Sequence, residues 1–329
     1  MSTGTTQPAV HFNVYGLTIR FRSTEDEHYR LLTEDYGIFS CEPLDGWDLD
    51  FRVERRPLPT ARGGTIVGSL GDHVDIDGST VSLVGPRVHE DTAYVAELRG
   101  YFTASILRML VARQCFQQVH ASVVDGPGGS VVFAGAKKSG KTSLALLSVA
   151  TGRTYKSNDI SFLRRSEYSG AIEAFGLPQA FTVGLGAQDW FARHLPHTGL
   201  TATQDRMDAE ALYQLEIGEK LQLTRRDIQG FASVDATPTR LAAIVFPEPN
   251  MYRDTARIRR LSSDEAAIRL AMLAEHQLRW GLPPLISAEA YLLQMRAVIA
   301  QATEQAETFQ LQWCPDHSSN LKVLEREVF

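Results

Sequence analysis

The chain has 329 residues, 43% hydrophobic and 22% charged, a composition that supports a sizeable core and excludes global disorder. At this length about two domains are expected. Lysine and arginine total 33 against 39 acidic residues, a formal net charge of −6, which argues against bulk nucleic-acid binding through phosphate neutralisation.

The opening MSTGTTQPAV has neither a basic segment nor an apolar one, so no signal peptide is expected. No apolar run is long enough to span a bilayer, so the reading is a cytoplasmic protein with no membrane partner. Cys41, Cys115 and Cys314 are scattered, as reduced thiols are, rather than spaced as a disulfide framework or a zinc site.

From residue 8 to about 86 the chain reads mostly as β-structure. His11, Val14, Leu17, Ile19 and Phe21 alternate imperfectly, a short helix is predicted over Glu25–Tyr36, and Trp47–Arg55 reads as a strand. Asp77-Gly78 signals a hairpin turn. Residues 1–90 are thus read as a small β-rich α+β domain, and 91–329 as an α/β domain with a helical C-terminal part. A long helix is predicted over 90–114, with Val95, Leu98, Phe102, Ile106, Leu110 and Val111 as its buried stripe.

Two strands, Val119–Val124 and Ser130–Ala134, flank Asp-Gly-Pro-Gly-Gly. With a four-residue loop at 126–129, Asp125 faces Ser130, and His120 comes opposite Gly135. A helix follows over Thr142–Ala150, with Gly152 as its C′ residue. Ile160–Leu163 reads as a strand, and Leu241–Phe246 as a buried strand stopped by Pro247. Residues 263–308 read as mainly helical, broken near Gly281-Leu-Pro-Pro284.

The informative segment is Gly135-Ala-Lys-Lys-Ser-Gly140-Lys141-Thr142, a full match to G-x-x-x-x-G-K-[ST] between a predicted strand and a predicted helix. Glycines at its two ends permit backbone shapes that aim successive N–H groups at an anion, and the helix start adds positive potential. Nucleotide binding, as ATP with Mg²⁺, is therefore expected along Gly135, Ala136, Lys137, Lys138, Ser139, Gly140, Lys141, Thr142 and Ser143. Lys141 would reach the terminal phosphates and Thr142 would ligate the metal. His120 is either a strand histidine or a site residue beside this loop. Asp159, after Asn158, is either part of a turn or an acid that binds Mg²⁺ or takes a proton from an acceptor hydroxyl.

The string QVHASVV, GGSVVFAGAKKSGKTSLALLSVATGRTYKSNDISFL resembles the catalytic core of the HPr kinase family, and most of all its divergent members found with peptide and natural-product biosynthesis. The resemblance is clear over roughly 118–165. It implies a fold related to phosphoenolpyruvate carboxykinase, with a mixed sheet around the P-loop core. It also implies that His120 matches the family's active-site histidine and Asp159 the second member of its Asp-Asp pair. Asn158 stands where the first aspartate is usual, and the Glu-x-Arg-Gly signature of true HPr kinases is missing, so HPr itself is not the implied acceptor.

The function this implies is a kinase passing the ATP γ-phosphoryl group to a hydroxyl of a small molecule or peptide, with His120, Asp159 and Lys141 as catalytic residues. Two other readings stay open: a nucleotide-binding regulatory or assembly protein without transfer, and a carboxykinase-like enzyme acting on a small acid. Homo-oligomerisation is compatible with the sequence. Glu248 reads as part of a strand-ending turn, and Arg259-Arg260 as a solvated face. His194 and His197 have metal-ligand spacing without an acid partner. Lys220, Arg225 and Arg226, within an unparsed stretch at 185–240, would suit an acceptor's negative charge in a lid.

Overall fold

The computed structural model describes residues 9–54, 66–67, 73–84, 92–114, 116–179, 181–183, 221–274 and 284–329. The protein is α/β with mixed sheets. It divides into two compact units, Met1–Cys115 with Leu278–Ser287, and Phe116–Gln277 with Ala288–Phe329. The division therefore falls after Cys115 rather than after residue 90.

The first unit holds β1 (Ala9–Val14), β2 (Leu17–Arg22), α1 (Asp26–Tyr36), β3 (Ser40–Cys41), β4 (Leu49–Glu54), β5 (Ile66–Val67), β6 (His73–Asp77), β7 (Thr80–Val84) and α2 (Thr92–Gln114). Its seven-stranded sheet has the order β3-β1-β2-β4-β7-β6-β5. The long helix belongs here because Phe102 packs edge-on against Phe12, Phe21, Tyr36 and Phe51. The burial of α2 is wider than one stripe: Tyr101, Ala104, Leu107 and Met109 are covered as well as Leu98, Phe102, Ile106 and Leu110. Asp77 faces Thr80 across the tight turn the sequence signalled. The β1–β2 turn at Tyr15-Gly16 puts Phe12 and Val14 in the core with Leu17, Ile19 and Phe21, and leaves His11 on the other face beside Arg20.

On that second face Asp50, 1% exposed, receives Arg20, Arg22 and Arg52. Burial alone would raise its pKa; the three guanidiniums outweigh this and bring it down to about 2. A folded-state pKa below the unfolded value contributes stability that is present above the unfolded value and lost as pH falls through the folded one. Asp50→Asn should therefore be less stable than the wild type at neutral pH, by about 2 kcal/mol. The gap should close between about pH 4 and pH 2. Urea unfolding of both proteins across this window checks it; a gap independent of pH would contradict the assignment.

The second unit contains β8 (Gln117–Val119), β9 (Ala121–Gly126), β10 (Gly129–Ala134), α3 (Lys141–Ala150), β11 (Thr154–Ser157), β12 (Ser161–Arg165), β13 (Ile172–Gly176), β14 (Phe181–Val183), β15 (Leu221–Leu223), α4 (Arg225–Gln229), β16 (Thr239–Pro249), β17 (Arg257–Arg260), α5 (Ser263–Ala274), α6 (Ala288–Gln305), β18 (Glu307–Trp313) and α7 (His317–Glu327). Strand β16 joins two ladders. It runs parallel to β10 and β18, and its first residues pair antiparallel with β13, which continues to β12 and β8. Strand β9 pairs antiparallel with β10, and β11 with β9.

Alternation fixes the two faces. Val131, Phe133, Ala243 and Val245 join α3 on one side, while Val132, Ala134, Ile244 and Phe246 join α5 and α6 on the other. Helix α3 ends as expected: Gly152 has φ +93°, and the N–H groups of Gly152 and Arg153 bond back to Val149 and Ser148.

Three elements differ from the sequence reading. Strand β16 does not stop at Phe246 but continues through Pro249. Its pairing with β10 ends at Val245, so Pro247 and Pro249, two apart, turn toward an open edge where no N–H is needed, while β18 still pairs on the other side. The helical reading up to 308 ends at Gln305, because Phe309, Leu311 and Trp313 alternate into the core as β18. The hairpin loop shortens to Pro127-Gly128, since Gly126 pairs Gly129. The break expected near Gly281 lies outside the described residues. Among the described residues, no helix is long and apolar enough to cross a membrane.

Candidate functional site

The predicted hairpin register is the one found. Asp125 faces Ser130, Ala121 faces Ala134, and the Gly135 N–H donates to the His120 carbonyl at 3.4 Å. His120 occupies the single residue between β8 and β9, where the chain passes from one ladder to the other. That break sets its ring at the head of the Gly135–Thr142 loop.

The loop is shaped by two left-handed residues, Lys138 (φ +69°) and Gly140 (φ +102°). A Cβ at Gly140 would meet the Trp313 ring at 2.5 Å, so the loop can close against β18 only with glycine there. The Trp313 indole N–H donates to the Ser139 carbonyl at 2.6 Å and pins this approach. Ala136, Lys137 and Lys138 are exposed. The Ser139 hydroxyl is buried with no hydrogen-bond partner among the described residues. The first intrahelical bond of α3 runs from Leu144 to Gly140, so the N–H groups of Lys141, Thr142 and Ser143 have no helical acceptor. A turn with unpaired donors, an orphaned hydroxyl and a helix start suits an anion of phosphate type.

Lys141 is 4% exposed, and its ammonium donates to the Ala136 carbonyl at 2.9 Å, folded back over its own loop. Burial lowers its pKa, and the Asp159 carboxylate 4.0 Å away opposes that shift. His120 Nε2 lies 3.1 Å from the same oxygen of Asp159, a hydrogen bond when that nitrogen carries the proton. Asp159 is 57% exposed and has φ +62°, so its carboxylate stands out of a tight turn toward the Lys141 ammonium and the His120 ring.

Behind it, Asn158 is buried. Its Oδ1 accepts from Ser122 Oγ at 2.6 Å and from Thr142 Oγ1 at 2.9 Å. With its proton committed to Asn158, the Thr142 hydroxyl keeps lone pairs for another ligand. Among the described residues no group of three or more His, Cys, Asp or Glu side chains is placed to hold a metal ion, so a cation here would draw on Thr142, Asp159 and the oxygens of a bound anion.

The structure thus brings His120, Lys141, Thr142 and Asp159 together around one loop. Ser143 sits in the first turn of α3. Arg225 and Arg226 lie on α4, and Lys220, His194, His197 and residues 184–220 fall outside the described residues. Arg259 and Arg260 are exposed and ion-paired with Glu265 and Glu307, in keeping with a solvated face. The sequence reading missed Ser122, whose position two residues after His120 was its only signal. It also missed Trp313, which sits at the end of an alternating Phe-Leu-Trp run.

A search against protein-family models finds no match, and a search of curated proteins finds none either. The class that fold and site define is therefore an α/β protein of mixed sheets carrying a G-x-x-x-x-G-K-T loop.

The turn holding Asp159 rests on Gly176. A Cβ there would come within 2.4 Å of the Ile160 carbonyl and of the Ser157 hydroxyl. Gly176→Ala should lower unfolding stability by about 1–3 kcal/mol, the usual range for overpacking. It should also disturb the 158–160 turn, checked by denaturant titration with exchange of the turn amides; unchanged stability and unchanged exchange would show that the contact is slack.

Proposed function

We propose that the protein is an ATP-dependent kinase of HPr-kinase-like type, transferring the γ-phosphoryl group to a hydroxyl on a peptide or small biosynthetic intermediate. The observation that carries this reading is the meeting of Lys141, His120 and Asp159 at one loop, where the Ser139 hydroxyl is buried without a partner among the described residues and the N–H groups of Lys141, Thr142 and Ser143 have no helical acceptor. The fold supports it to the extent of a mixed sheet with an antiparallel strand beside the loop strand.

In this reading the loop amides and Lys141 hold the phosphates, and Lys141 exchanges its Ala136 carbonyl for them. Thr142 and Asp159 would hold Mg²⁺, which would neutralise charge on the phosphate oxygens. Asp159 is exposed, so an acceptor hydroxyl can reach its carboxylate and surrender its proton there. His120, within hydrogen-bond distance of the same oxygen, orients that carboxylate toward the acceptor. Asn158 holds the Thr142 hydroxyl in place without adding a charge beside the metal. A nucleotide-dependent regulator is the second reading, and the neutral amide at Asn158 is the observation on its side.

Lys141→Ala should abolish measurable nucleotide binding, read by calorimetry with ATP and Mg²⁺; equal affinity in variant and wild type would remove the basis of the proposal. Asp159→Asn tolerates the same left-handed backbone. It should cut transfer from labelled ATP to a hydroxyl acceptor by about 10²–10⁴-fold, the usual worth of a general base, and by far more than it weakens nucleotide binding. Slow hydrolysis with no transfer to any acceptor in the wild type would favour the regulator.

A further inference from the structure

A cleft of about 370 Å³ opens on the other flank of the same loop. Its size lies within the roughly 300–1,000 Å³ typical of small-molecule sites. The loop backbone from Gly135 to Ser139 forms one wall. Phe246, Pro247 and Glu248 of β16 form the floor, and Arg269, Met272 and Leu273 of α5 form the opposite wall.

We propose that this cleft takes the purine base of the bound nucleotide, held between Met272-Leu273 and Pro247 and read by Glu248 and Arg269. The inference rests on the kinase reading above. His120 stands between β8 and β9 and Asp159 between β11 and β12, where the chain crosses from one ladder to the other, and neither residue lines the cleft. In-line transfer sets the acceptor and the leaving diphosphate on opposite sides of the phosphorus. With the acceptor at Asp159, the nucleoside end leaves away from that carboxylate, and the cleft against Gly135–Ser139 is open to receive it.

The chemistry of the walls fits a flat, amine-bearing ring. Met272 is 66% exposed, so its side chain is available to cover a ring seated in the cleft. The Arg269 guanidinium lies over the Phe246 ring, 5.9 Å from its centre. Arg269 Nη1 donates to Glu248 Oε1 at 2.7 Å, and Nη2 pairs with Glu265 Oε1 at 3.2 Å. Gln310 donates to the other oxygen of Glu248. A carboxylate has about four acceptor sites and a guanidinium five N–H donors, so both groups are oriented by these bonds and retain capacity. Side by side they present an acceptor and a donor, the complement of a purine edge with an exocyclic amine.

The test titrates ATP, GTP and inorganic tripolyphosphate, each with Mg²⁺, into the wild-type chain and into Met272→Ser/Glu248→Gln. Met272 is exposed and Glu248 is half-exposed, so the double variant should fold. The wild type should bind one purine nucleotide more tightly than tripolyphosphate. The double variant should lose about tenfold in affinity for that nucleotide while holding tripolyphosphate no more weakly. The tighter of ATP and GTP identifies the base. The inference is overturned if the purine nucleotides bind no better than tripolyphosphate, or if the variant weakens nucleotide and tripolyphosphate alike, or neither. Failure of all three ligands to bind the wild type would instead overturn the kinase reading itself, and the base site with it.

Discussion

A lysine ammonium almost wholly removed from water has to find its partners inside the protein, and the arrangement around Lys141 follows from that requirement. Its two neighbours are a carbonyl of its own loop and a carboxylate reached only through a left-handed residue at Asp159. Desolvation pulls its pKa down and Asp159 pulls it back. At 4.0 Å the Asp159 contact is loose, and the closer bond is to a neutral carbonyl that a stronger acceptor can replace.

The second unit holds these groups at one end of β10. The break at His120 lets one stretch of chain serve two ladders, and the same break turns the ring toward the loop. Strand β16 also serves two ladders. Its long parallel pairing with β18 carries Trp313 up to the loop, and the Trp313 bond to Ser139 replaces flexibility in a glycine-bearing turn with one fixed approach. The Asn158 amide joins Ser122 of β9 to Thr142 of α3, so strand, helix and turn are tied through one buried oxygen. Each tie is modest alone, about 1 kcal/mol for a typical hydrogen bond, but together they leave the loop little freedom before any ligand arrives.

Much of this was legible because it was local. The loop motif lies in one stretch of sequence, and the hairpin register follows from a short turn between two apolar runs, so the closeness of His120 and Gly135 could be read before any coordinates. Asp159 was legible only as one end of a short strand, and its left-handed turn depends on Gly176, distant in sequence. Trp313 was not legible, because parallel pairing between β16 and β18 spans a long connection and leaves no turn signal. The extent of β16 was hidden by its two prolines, which read as a stop unless one knows which edge is open. Glu248 looked like part of a turn for the same reason, although it faces α5 across a cleft. The boundary between the two units was misplaced because α2 reads equally well as the opening of the second domain. Only its packing on Phe12, Phe21, Tyr36 and Phe51 assigns it to the first.

The central claim is that the Gly135–Ser143 stretch is a preformed anion cradle that a magnesium nucleotide fills. Amide hydrogen exchange of the full chain, with and without saturating ATP and Mg²⁺, tests it directly. The account predicts slowed exchange at 135–143, with lesser slowing in the 158–160 turn beside it. Exchange at 135–143 that is unchanged by the nucleotide, with slowing elsewhere or nowhere, would contradict it.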